Sequence, residues 1–159
     1  MSTSTLAVEG LRTHFFTKRG VVKAVDDVSF EVSAGRVLGL VGESGSGKSI
    51  TGFSVMGLVD APGRIVDGRI MFKGRNLLDS SAEEWRKLRG NRIAMVFQDP
   101  MMTLNPVLRI DTQMIEAVTA HSNVSSATAR DRAREALGRV GIPSPDERLS
   151  AYPHQFSGG

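Results

Sequence analysis

The chain has 159 residues, 40% hydrophobic and 23% charged, which fits one ordinary soluble globular domain with a core of its own. Its 20 basic and 17 acidic side chains leave a net charge of +3 with the signs well mixed, so no nucleic-acid partner is indicated. Without cysteine, disulfides, thiolate catalysis and thiolate metal sites are excluded within the chain.

The start, Met1 to Leu6, has no basic segment leading into an apolar one, so no secretory signal is expected. No apolar run approaches the roughly 18 residues that a membrane span needs. The expectation is a cytoplasmic protein that meets a membrane only through a partner.

The first third reads as β. Leu6–Phe16 is rich in strand formers, Thr17-Lys18-Arg19-Gly20 turns, and Val21–Val32 resumes with Val22, Val25, Val28 and Phe30. Ala34-Gly35-Arg36 turns the chain into Val37–Val41, apolar enough for a strand covered on both faces. A helix is expected over Ile50–Leu58. Asp60-Ala-Pro-Gly63 breaks it, and Gly68–Phe72 reads as a short strand.

Ser80 and Ser81, each three residues before a glutamate at 83 and 84, give overlapping capping boxes for a short helix through Trp85 and Leu88, stopped by Gly90. Ile93–Phe97 has the length and composition of a buried strand. Beyond it the pattern is helical. Ile110–Ala120 carries Met114, Ile115 and Val118 on one face. Ser126–Val140 carries Ala129, Ala133, Ala136, Leu137 and Val140, with Gly141 and Pro143 as stop signals. Arg130, Arg132, Arg134 and Arg139 read as the solvated face of that helix. Two regions are therefore expected: a sheet-based core over 1–99 and a helical region over 100–159.

Between Val37–Val41 and the helix lies Gly42-Glu43-Ser44-Gly45-Ser46-Gly47-Lys48-Ser49, which fits G-x-x-x-x-G-K-[ST]. Glycines let successive N–H groups curl around phosphate oxygens. Lys48 places an ammonium on the outer phosphates, and the Ser49 hydroxyl can ligate Mg²⁺. The helix N-terminus adds positive dipole. An idle Gly/Ser-rich turn would not need a strand before it and an apolar helix, opened by Ile50, behind it. The segment reads as a holder of a nucleoside triphosphate.

Gln98 ends the Ile93–Phe97 strand and can orient Mg²⁺ or water through its amide. The competing reading takes Asp99 as the second Mg²⁺ carboxylate of a small nucleotide kinase, but Gln98 intervenes where that carboxylate should follow the strand directly. Asp60-Ala-Pro-Gly63 imitates a D-x-x-G switch, yet lies too close behind Ser49 to be one. Of Phe15 and Phe16, neighbours on a strand, at most one can stack on a base while the other packs elsewhere. His14, His121 and His154 share no metal-ligand spacing.

Taken together, the run from Gly35 through Ser49, Phe97-Gln98-Asp99-Pro100 through Leu104-Asn105-Pro106, Val140-Gly-Ile-Pro143 and Tyr152-Pro-His-Gln-Phe-Ser-Gly-Gly159 resembles the ATP-binding subunits of ABC transporters, in the oligopeptide/dipeptide-importer branch. The resemblance implies an α/β fold: a P-loop NTPase core with an antiparallel β subdomain and a helical subdomain. It implies ATP and Mg²⁺ as ligands, with Gly42–Ser49 as Walker A and Gln98 as the Q-loop glutamine. Phe15, with Phe16 as the other candidate, would be the aromatic that stacks on adenine. Ser157, Gly158 and Gly159 would begin the signature motif, which contacts ATP on the opposite subunit of a homo- or heterodimer. The segment after Gln98 would receive a transmembrane permease, on the cytoplasmic face of the membrane.

The resemblance implies a departure from the family, a stop inside that signature motif before Walker B, the D-loop and the switch histidine. An ATPase subunit energising peptide import is one expectation; a non-catalytic nucleotide-binding fragment or gene remnant is the alternative. Without the C-terminal part of the core, the apolar runs Val37–Val41 and Ile93–Phe97 are expected to expose hydrophobic surface and open ladder edges.

Overall fold

The computed structural model describes residues 4–98 and 103–156. Its contacts divide the chain into two compact units, one up to Met95 and one from Val96 onward.

In the first unit, β1 (Ser4–Thr17) and β2 (Gly20–Ser33) form a long antiparallel hairpin across the turn at Lys18-Arg19. α1 (Lys48–Val55) follows, then β3 (Gly63–Phe72), which pairs antiparallel with the other edge of β1. β4 (Arg75–Asn76) completes a sheet of order β2-β1-β3-β4. Pleating sends alternate residues to opposite faces, and the irregularity between Val8 and Leu11, where Gly10 has φ 56°, resets that alternation. One face buries Val8, Leu11, Val25 and Ile70 together with Val55 of α1 and Leu77. The hydroxyl of Thr13 on β1 meets that of Ser54 on α1 at 2.8 Å, out of solvent.

α2 (Ala82–Leu88) starts as the sequence predicts, with the capping box centred on Ser81 and Glu84. Arg89 just beyond it turns back on α1. Its guanidinium donates to the carbonyls of Met56 and Gly57 and stacks on Trp85 at 4.8 Å, satisfying acceptors that a helix end leaves orphaned.

Two expectations are corrected. Val37–Val41 and Ile93–Phe97 form no strand among the described residues; Ile93 makes only an isolated bridge to Arg89. Val37 is 99% exposed, Val41 90% and Val96 92%. A strand gains its hydrogen bonds from a neighbour, and the described residues pair every named strand into the antiparallel sheet instead. The β3 strand is also longer than the expected Gly68–Phe72.

The second unit packs α3 (Ile110–Thr119), α4 (Ser126–Arg139) and the short α5 (Pro145–Leu149) around Ile110, Ala133, Leu137 and Leu149. Ala129 is buried as expected, but Ala136 is exposed and Val140 is 73% exposed, because the buried stripe of α4 follows the spacing 129, 133, 137. Arg130 departs from the solvated face. It reaches the buried Asp111 of α3 at 2.5 Å, while Arg109 approaches the same carboxylate at 3.3 Å. Burial works against ionisation of Asp111. The bond from Arg130, the Thr112 backbone N–H and the two positive charges outweigh it and hold the carboxyl below its usual range.

Candidate nucleotide-binding site

The loop over residues 42–49 is shaped by backbone that only glycine adopts cheaply. Gly47, the N-cap of α1, has φ 90°, and any side chain there would run into the carbonyl oxygen of Ala24 on β2. The loop is thereby seated against the sheet. Gly45 is also left-handed, at φ 79°, and the Ser46 amide donates to the Glu43 carbonyl across the intervening turn.

Lys48 gives the loop its charge. Its ammonium donates to the carbonyl oxygens of Gly42 at 2.7 Å and Glu43 at 2.6 Å, with the Ser46 hydroxyl at 3.3 Å. A cation is thus held inside the bend rather than trailing in solvent. α1 has neither a side-chain cap nor an acidic residue in its first turn, so its leading N–H groups and dipole stay available to an anion. Ser49 is exposed in that turn, while Ile50 points toward the core. Thr51 closes the turn from inside, donating its hydroxyl to Gly47 at 3.0 Å.

Phe15 stands near this loop through β2. Its cross-strand partner is Val22, two residues from the Ala24 carbonyl against which Gly47 packs, a span of about 7 Å along a strand. Thr13 and Phe15 alternate to the same face of β1, the one on which α1 lies. The ring is half-buried and rests on Gly63 of β3. Phe16 takes the other face, 40% exposed, with the Arg64 guanidinium 4.3 Å from its ring centre.

Gln98 is exposed and belongs to the second unit. Ser157, Gly158 and Gly159 lie outside the described residues, as does Asp99. The segment 103–109 is braced by a residue the sequence did not signal. Gln113 of α3 accepts from the Asn105 amide at 2.9 Å and donates to the carbonyls of Asn105 and Leu108 at 3.0 and 3.1 Å. No local pattern links a glutamine to a loop eight residues earlier. The same holds for Ala24 and Gly63, whose parts depend on cross-strand approach.

A family model described as ABC transporter matches residues 25–159. The chain is 48% identical over 155 residues to the dipeptide transport ATP-binding protein DppD of Lactococcus lactis subsp. cremoris, covering 97% of this chain and 44% of that protein. It is 46% identical over 155 residues to the oligopeptide transport ATP-binding protein AppD of Bacillus subtilis, covering 97% and 47%. The chain therefore spans less than half the length of these relatives. Among solved structures it superposes on the ATP-binding cassette MJ0796, a dimer bound to ADP and Pi, with a TM-score of 0.82 at 21% identity, over 96% of this chain and 63% of that one. No helix among the described residues is long and apolar enough to cross a membrane. With a family match running from β2 to its last residue and a phosphate loop folded around its own lysine, the chain belongs to the ABC transporter family.

Proposed function

We propose that this chain carries the ATP-binding part of a subunit that energises import of dipeptides or oligopeptides from the cytoplasmic face of the membrane. The observation that carries the reading is the Lys48 ammonium held over the Gly42 and Glu43 carbonyls at the start of an uncapped helix. Residues 42–50 bind the triphosphate: Lys48 exchanges its carbonyl partners for phosphate oxygens, and the leading amides of α1 add donors. Phe15 stacks on the adenine.

The donor set suits Mg²⁺, a hard cation that takes oxygen ligands and keeps several waters. Ser49, exposed in the first turn, would hold it, and when bound it offsets negative charge on the phosphates. Ser157–Gly159 would contact ATP held by a second ATPase subunit. The segment after Gln98, braced at Asn105 by Gln113, would receive a permease subunit.

One observation favours a second reading, a fragment that binds nucleotide without turning it over. The apolar residues Val37, Val41 and Val96 stand exposed, so the described residues do not assemble the core sheet that their composition suits. ATP binding and hydrolysis measured beside a Lys48→Ala control separate the two. Turnover above the control supports the transport ATPase; binding without turnover supports the fragment; absence of Lys48-dependent ATP binding sinks both.

A further inference from the structure

We infer that Gly63 is a positioning residue for nucleobase recognition, acting through the Phe15 ring. The inference rests on the reading of Phe15 as the adenine-stacking residue and adds what fixes that ring in place. A Cβ built on Gly63 would lie 2.6, 2.8 and 2.9 Å from three ring carbons of Phe15, so the ring occupies the space a side chain would fill. Gly63 does not have a positive φ, so its backbone does not require glycine. What excludes a larger residue is the ring.

The pairing explains why the seat is firm. Phe15 pairs with Val22 on β2 and with Gly63 on β3, so the backbone that carries the ring is held on both sides. The Phe16 amide donates to the Pro62 carbonyl at 3.0 Å, and the Gly63 amide donates to Asp60 at 2.8 Å, which fixes the chain entering β3. Val22, 55% exposed, leaves the opposite flank of the ring approachable. A base stacking on Phe15 reads the tilt of that ring, and a methyl group at residue 63 changes the tilt. Triphosphate binding at residues 42–49 does not depend on it.

The test titrates Mg²⁺·ATP and Mg²⁺·tripolyphosphate into the chain and into Phe15→Ala, Gly63→Ala and the double variant, with thermal melts alongside. Gly63→Ala is expected to weaken ATP about five- to tenfold, the scale of one base–aromatic stack, and to leave tripolyphosphate unchanged. In the Phe15→Ala background the same substitution should do nothing further. If Gly63→Ala alone melts early, the double variant must melt with Phe15→Ala, since removing the ring removes the clash.

Three results overturn the inference: Gly63→Ala binding ATP like the parent while Phe15→Ala binds it poorly, equal weakening of ATP and tripolyphosphate, or additive effects in the double variant. If Phe15→Ala itself leaves ATP affinity intact, the underlying reading of Phe15 fails instead, and Gly63 loses its role with it.

Discussion

Thr13 of β1 and Ser54 of α1 share a buried hydroxyl–hydroxyl hydrogen bond of 2.8 Å, 41 residues apart in sequence. Ser54 donates its own proton to the Ile50 carbonyl at 2.7 Å, so Thr13 is the donor between them. The bond ties the helix that carries the phosphate loop to the sheet that carries Phe15. Thr13→Val keeps the shape and removes the donor. It should cost about 1 kcal/mol in urea denaturation. A change below the error of the measurement would show that the tie is dispensable.

Lys48→Ala should abolish detectable ATP binding while leaving the melting temperature nearly unchanged. The carbonyls it releases, on Gly42 and Glu43, lie in an exposed loop and can turn to water. Calorimetric titration and a thermal melt on the same sample check both halves. A large loss of stability would mean that the lysine serves the loop's architecture and not its ligand.

Gly47→Ala should be among the most damaging single-methyl changes in the chain. It combines φ 90° with a direct encounter with the Ala24 carbonyl. Together these should cost about 2–3 kcal/mol and displace the loop from β2. Gly45→Ala, with open space around it, should suffer only the left-handed strain of about 1 kcal/mol.

The cap of α2 should respond to acid. Glu84 accepts from the Ser81 amide and hydroxyl and from Arg75, and these bonds pull its carboxyl down to about 2. A depressed value means that the stabilising contribution is complete above the ordinary carboxylate range. It is lost as pH falls from about 4.5 toward 2. Exchange protection of the Ser81 amide should fall over that window and in Glu84→Gln at neutral pH. Protection that is flat down to pH 2 would remove the capping-box argument.

Asp111→Asn should destabilise the helical unit by about 1–2 kcal/mol, less than a fully buried ion pair because Arg109 and Arg130 are more than a third exposed. The carboxyl of the parent is held low, so the difference between parent and variant should be full at neutral pH. It should shrink as acid titrates the carboxylate. Denaturation at neutral and acidic pH reads both. A difference that does not depend on pH would assign the effect to packing.

Local chemistry made much of this legible in the sequence. The hairpin and its turn, the Ser81–Glu84 box and the extents of α3 and α4 follow from short-range patterns. The short α5, with its fully buried Leu149, gave too brief a pattern to be read. Arg130 illustrates the limit of helical periodicity. Its spacing marks a solvated face, but the buried Asp111 on another helix draws it inward.

By itself the sequence made the bend over residues 42–49 legible, because its glycines and lysine fall within eight consecutive residues. It also determined that Val37–Val41 and Ile93–Phe97 are suited to burial. Only the tertiary structure decided how far that burial goes: Val37, Val41 and Val96 stand exposed while Ile93 packs against the sheet core, since a strand's hydrogen bonds and cover come from neighbours that composition cannot supply. The meeting of Gly47 with Ala24, of Phe15 with Gly63 and of Thr13 with Ser54 was likewise decided there. Each joins residues that are remote along the chain and adjacent only once β1, β2 and β3 have paired.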